Sequence, residues 1–141
     1  MFGFLKKRSS RAMSEIKKFD KRDLAEAVVN AAYLIAYADG ELESSEKAKI
    51  EQVLRANPVL SNFQSELNAI ASTIIAQLEA DIDIGRRAAL RQIADVKGDQ
   101  RESEDVLDVA VAIARADGEI EPAEEAMLKQ IAEAMGLRYD A

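Results

Sequence analysis

The sequence contains no cysteine and no histidine. Without thiols there is no disulfide, no thiolate metal site and no cysteine nucleophile, a composition that suits a reducing compartment. Without imidazole the usual zinc ligand and the commonest general base near neutral pH are missing, which removes most hydrolase and metalloenzyme schemes. Long apolar runs are absent too. Stretches such as Ala31 to Ala38 fall well short of the roughly 20 residues a membrane-spanning helix needs. Met1 to Leu5 is too short for the apolar core of a secretory signal. A cytoplasmic location is expected.

What is present points to one globular domain. The chain has 141 residues, 48% hydrophobic and 32% charged, and a domain of this size can bury roughly two-thirds of its unfolded surface without a disulfide or metal. The net charge of -7 is unevenly spread. Residues 1–22 hold eight Lys or Arg against Glu15 and Asp20, a net +6, so residues 23–141 carry −13. Residues 1–22 therefore read as a basic arm and 23–141 as the folded body. An acidic body argues against nucleic acid as a partner. The arm mixes its cations with Phe2, Phe4, Leu5, Ile16 and Phe19, which suits peripheral contact with anionic lipid at the inner face of the membrane and equally suits an undocked tail.

Helical periodicity dominates, and only two prolines interrupt it. Leu24, Ala27, Val28, Ala31, Leu34, Ile35 and Ala38 recur at three- and four-residue spacing, which places them on one helix face. Similar patterns run through Ile50–Leu54, Leu67–Leu78, Ala89–Val96, Val106–Ala114 and Met127–Met135. Strand-like alternation occurs at Asp81-Ile-Asp-Ile84 but is too brief for a sheet. The expected fold is all-α, a compact helical bundle of about six to seven helices. Breaks are expected at Asn57-Pro58, at Lys97-Gly-Asp99 and at Gly136, with Ser103 as the N-cap of the fifth helix.

The strongest signal is an internal repeat. A shift of 78 residues aligns Val28–Ala56 with Val106–Ala134 without a gap, with thirteen identities in 29 positions. The bundle is thus expected to contain two pseudo-symmetric helix–loop–helix units, near 24–56 and 102–134, joined by connecting helices over 60–98.

At the centre of each unit lies an acidic loop. The two read Ala38-Asp-Gly-Glu-Leu-Glu-Ser-Ser-Glu46 and Ala116-Asp-Gly-Glu-Ile-Glu-Pro-Ala-Glu124. Each fits the second half of an EF-hand loop, with a turn glycine and a glutamate opening the next helix. The first half fails, because Ile35, Tyr37, Ile113 and Arg115 stand where calcium ligands would be. An ordinary EF-hand is excluded. A half-site survives, built from Asp39, Glu41, Glu43 and Glu46 and mirrored by Asp117, Glu119, Glu121 and Glu124. Oxygen ligands alone favour a hard divalent cation such as Ca²⁺ or Mg²⁺. A plainer account makes the same glutamates helix caps. Pro122 suits the first helical position, which makes Glu121 the cap and lets Glu124 fold back on it. Both accounts stay open at this level.

These residues carry a resemblance. The chain resembles the TerB family of tellurite-resistance proteins over nearly its whole length. The likeness rests on the Phe- and Lys-containing N-terminus, Ala38-Asp-Gly40, Asp81-Ile-Asp-Ile-Gly85, and Ala116-Asp-Gly118 with the acidic stretch to Glu124. It implies a bundle of about seven helices with internal pseudo-symmetry and metal-binding positions at Asp39, Glu46, Asp117 and Glu124. It also implies a role in tellurite resistance and stress response, within membrane-associated complexes of other tellurite-resistance proteins, and no catalytic activity. Soft tellurium chemistry calls for thiols, so direct detoxification by this cysteine-free chain is not expected.

The leading expectation is therefore a non-enzymatic, cation-binding interaction module. A metal-free helical adaptor is the alternative, and a two-metal hydrolase is the remote one. Asp81 and Asp83 could add carboxylates to a shared site, although such a pair is more often a solvated turn. Arg86, Arg87 and Arg91 could form a basic patch for a partner or balance nearby acids.

Overall fold

A computed structural model describes residues 22–116 and 118–139. The basic arm up to residue 21, and Asp117, lie outside the described residues. Helix α1 covers residues 22–36, α2 Ser44–Ala56, α3 Leu67–Ala80, α4 Ile82–Ala94, α5 Gln100–Ala114 and α6 Pro122–Ala134. A 3₁₀ segment, Pro58–Phe63, joins α2 to α3. The described residues contain no strand. The all-helical bundle expected from the periodicity is what forms.

Helix α1 is the axis of the bundle. The expected single apolar stripe understates its burial, because Ala25, Val29, Ala32 and Tyr33 are buried as completely as Val28 and Leu34. The reason is in the composition: from Leu24 to Ala38 the only polar side chains are Glu26, Asn30 and the tips of two tyrosines. A helix apolar all round must be covered all round. Its many alanines let neighbouring helices come close, and Ile74, Ile93, Val106, Leu128 and Ile131 complete the core.

The connections follow from side-chain chemistry. Asn57 accepts the Val59 N–H at 2.9 Å and Pro58 opens the 3₁₀ segment, so α2 stops where the Asn-Pro pair requires. Between α3 and α4, the Asp81 carboxylate accepts the N–H groups of Asp83 and Ile84, each at 3.0 Å. The alternating Asp-Ile-Asp-Ile segment is therefore a capped helix start. Gly85 follows on the face turned to α3. A Cβ there would lie 2.8 Å from the Leu78 Cα, so the glycine permits the close approach of the two helices.

The start of α5 corrects one expectation. Asp99 is the N-cap and accepts the Glu102 N–H at 3.0 Å. Ser103 instead lies inside the helix, 1% exposed, and donates its hydroxyl to the Val96 carbonyl at 3.1 Å. Ser103 and Asp99 are both favoured cap types. Asp99 prevails because it directly follows the turn at residues 95–98, and Ser103 serves as a buried tie back to that turn. In the second half, α6 packs on both α4 and α5. No helix among the described residues is long and apolar enough to cross a membrane.

Candidate functional site

The two acidic loops repeat in conformation as well as in sequence. At the end of α1, Ala38 N–H bonds the Ile35 carbonyl at 3.1 Å and Gly40 N–H the Tyr37 carbonyl at 2.8 Å. At the end of α5, 78 residues on, the same bonds join Ala116 to Ile113 at 3.2 Å and Gly118 to Arg115 at 2.8 Å. Gly40 and Gly118 take φ values of 96° and 102°, a left-handed geometry that costs other residues roughly 1–2 kcal/mol. Open space surrounds both α-carbons, so the requirement for glycine is conformational.

Each loop leaves through an extended cap residue, Glu43 or Glu121. Pro122 opens α6, and the Glu124 Oε1 accepts the Glu121 N–H at 2.9 Å. The capping expectation for Glu121 and Glu124 therefore holds. In the first loop the Asp39 Oδ1 accepts the Glu41 N–H at 3.1 Å. Capping logic alone had no use for Asp39, yet this Asx turn gives it a local structural duty.

The tertiary fold brings the two loops onto one pocket. Asp39, Glu46 and Lys49 come from the first unit, Ala116, Glu121 and Glu124 from the second. Ile35, Ala36, Ile50 and Ile113 supply the apolar wall. The pocket holds about 70 Å³, ample for a cation with some of its waters. Among the described residues, four carboxylates and one ammonium line it, a balance of −3.

Only part of the expected eight-residue set gathers there. Glu41 and Glu43 lie on the far side of the loop, in an open groove shared with Tyr37, Leu42, Glu79, Asp81 and Ile82. Glu119 is exposed and lines neither space. Asp117 lies outside the described residues. Among the described residues, no three carboxylates converge closely enough to hold a metal ion. The pocket therefore collects acidic side chains around a shared space without drawing them to a single point.

Two cations secure the helix ends that launch the loops, and neither role was read from sequence. The Arg86 guanidinium donates one Nη2 to the Tyr37 carbonyl at 3.1 Å and the Ala38 carbonyl at 3.2 Å. The Lys49 ammonium donates to the Ala116 carbonyl at 3.1 Å. Ala38 and Ala116 are equivalent under the 78-residue shift, so both loops begin at a carbonyl held by a cation from another helix. Arg86, considered above for a partner-facing patch, instead braces the first loop from α4. Beside it, Tyr37 donates to the Glu79 carboxylate at 3.0 Å. Burial, and then that bond, push the phenol up to about 12.

The sequence model of the family described as tellurite resistance protein TerB matches residues 25–141. The chain belongs to the TerB family. The match spans both repeat units, the α3–α4 hairpin and every residue lining the pocket. No curated protein and no solved structure matches the chain. TerB membership associates this helical domain with tellurite resistance, and the family is not known as enzymatic.

Proposed function

We propose that this TerB chain is a non-enzymatic interaction module of tellurite resistance and stress response, and that its paired acidic loops take up a divalent cation such as Ca²⁺ or Mg²⁺. The observation that supports this is the shared pocket, where carboxylates from two loops 78 residues apart in sequence face one space. Folding alone would keep like charges apart, since each close pair costs stability unless something neutralises it. An ion drawn into this space would pull Asp39, Glu46 and Glu124 toward a common centre and tie the two units together. Hard oxygen donors and the absence of thiols favour Ca²⁺, Mg²⁺ or Mn²⁺ over softer metals. The proposed partners are other tellurite-resistance proteins at the inner face of the membrane, with the basic arm as the contact to lipid.

The test is a calorimetric titration with each of the three ions, paired with amide NMR. Saturable binding at or below millimolar levels is expected, with the largest shifts at Gly40 and Gly118. Asp39→Asn should weaken it at least several-fold while leaving the fold intact. Absence of heat and of amide shifts up to millimolar ion would reduce the chain to a metal-free helical adaptor.

A further inference from the structure

The open groove behind the first acidic loop carries charge that the described body leaves unbalanced. Glu41 and Glu43 from the loop and Glu79 and Asp81 from the α3–α4 corner line it together with Leu42 and Ile82. No Lys or Arg lines it, and among the described residues none of the four carboxylates has a salt-bridge partner. The groove offers about 560 Å³, room for several side chains. Asp81 also caps the N–H of Ile84, the one large hydrophobic side chain among the described residues that stands mostly in solvent, 62% exposed. The complementary chemistry lies in the same chain. Residues 1–21 hold seven Lys or Arg against Glu15 and Asp20, a net +5, and they open with Phe2, Phe4 and Leu5 followed directly by Lys6, Lys7 and Arg8.

We propose that residues 2–8 dock in this groove of their own chain, with the cations on its carboxylates and the apolar side chains against Leu42 and Ile82. The tether is long enough. Helix α1 carries the chain about 22 Å from residue 22 to the end beside the groove, while residues 9–21 span up to roughly 43 Å when extended. A segment tethered in this way meets the groove at an effective concentration in the millimolar range, so contacts too weak to hold a separate peptide suffice. Three cations among four carboxylates remove most of the repulsion within the groove. The docking is exclusive, because an arm seated on the body is withheld from an anionic surface and a filled groove is closed to a partner. It needs no ion in the acidic pocket, and it supplies the state from which lipid must recruit the arm.

The chain has no cysteine, so Ser9→Cys gives a single attachment point for a nitroxide beside the docking segment. In the full chain at low salt the amide resonances of Gly40, Glu41, Leu42 and Ile82 should broaden, and the broadening should vanish at about 0.5 M NaCl, where exposed charges are screened. Glu41→Lys with Glu43→Lys should abolish it, and adding Lys6→Glu with Lys7→Glu should restore it in part. Broadening elsewhere on the body, or none, overturns the docking, and binding of the same chain to phosphatidylserine vesicles then assigns the arm to lipid alone. Equal broadening of nitroxide-free, isotope-labelled chains by added spin-labelled chains places the contact between copies and overturns docking within one chain.

Discussion

Replacing Gly85 by alanine adds a single methyl group where α4 presses on α3. Its Cβ would lie 2.8 Å from both the Cα and the N of Leu78 and 2.9 Å from the Gln77 carbonyl carbon. All three are backbone atoms in the last turn of α3, so no rotamer change can relieve the contact and the two helices must separate. Overpacking of this kind costs roughly 1–3 kcal/mol, offset by about 1 kcal/mol of helix propensity gained on replacing glycine. Because the contacts fall on backbone at under 3 Å, the upper half of the overpacking range applies, and a net loss of about 1–2 kcal/mol lowers the melting midpoint by roughly 4–8 °C in a domain of this size. Circular dichroism melts and urea titrations measure it. The effect should reach the pocket as well, because Arg86 is the next residue and holds the Tyr37 and Ala38 carbonyls. A helix displaced at residue 85 draws that guanidinium away from the first loop, and ion affinity should fall with stability. A variant that melts at or above the wild-type midpoint would refute the close α3–α4 contact and the brace derived from it.

Other substitutions separate overlapping roles. Glu124→Ala should lose roughly 0.5–2 kcal/mol of stability with the cap. Glu124→Gln keeps the acceptor that bonds the Glu121 N–H and should be near neutral in urea, yet both variants should lose ion affinity in calorimetry. Alkaline pH probes the buried tyrosines. The Tyr33 phenol is pushed up to about 12, first by burial and then by Glu51, against roughly 10 in an unfolded chain. Between those values the unfolded chain sheds a proton that the folded chain keeps, so stability is full below pH 10 and falls as pH rises through the window. The Tyr33 hydroxyl has no hydrogen-bond partner among the described residues, so Tyr33→Phe should flatten the alkaline limb of a urea-stability profile without lowering stability at neutral pH.

The residues that were legible in advance are those whose duty is local. Gly40 and Gly118, Pro122 with Glu121 and Glu124, and Asn57 with Pro58 act on backbone within a few positions, so spelling and conformation coincide. Residues acting across the fold carried no such mark. Arg86 is an ordinary helix cation in sequence, and only the packing of α4 beside the end of α1 turns it onto two carbonyls. Lys49 differs from its counterpart Met127, so the repeat gave no cue to its bond with Ala116. The burial of α1 from residue 27 to 35 was visible in part as an unbroken apolar run from Ala31 to Ala38, but periodicity weighs one face against another and misses a helix whose polar residues are few. Ser103 and Asp99 are both good caps by type, and the choice between them depended on where the preceding turn ended.

The division of the acidic residues bears on how such a module would signal. Asp39 and Glu46 face the pocket, whereas Gly40, Glu41, Leu42 and Glu43 line the open groove on the other side, beside Tyr37 and Glu79. One short loop thus forms a wall common to both spaces, fixed at its start by Arg86 and at its turn by the Asp39 bond to the Glu41 N–H. An ion drawing Asp39 inward must act on that same bond, and so shift Glu41 where it faces the groove. Glu41, Glu43, Glu79 and Asp81 line the groove together with Leu42 and Ile82, so a shift of the loop would carry two of its four carboxylates with it. A packed loop with one side on the ion and the other on solvent gives the proposed module a physical route from cation to partner, and the route needs no movement of the core helices.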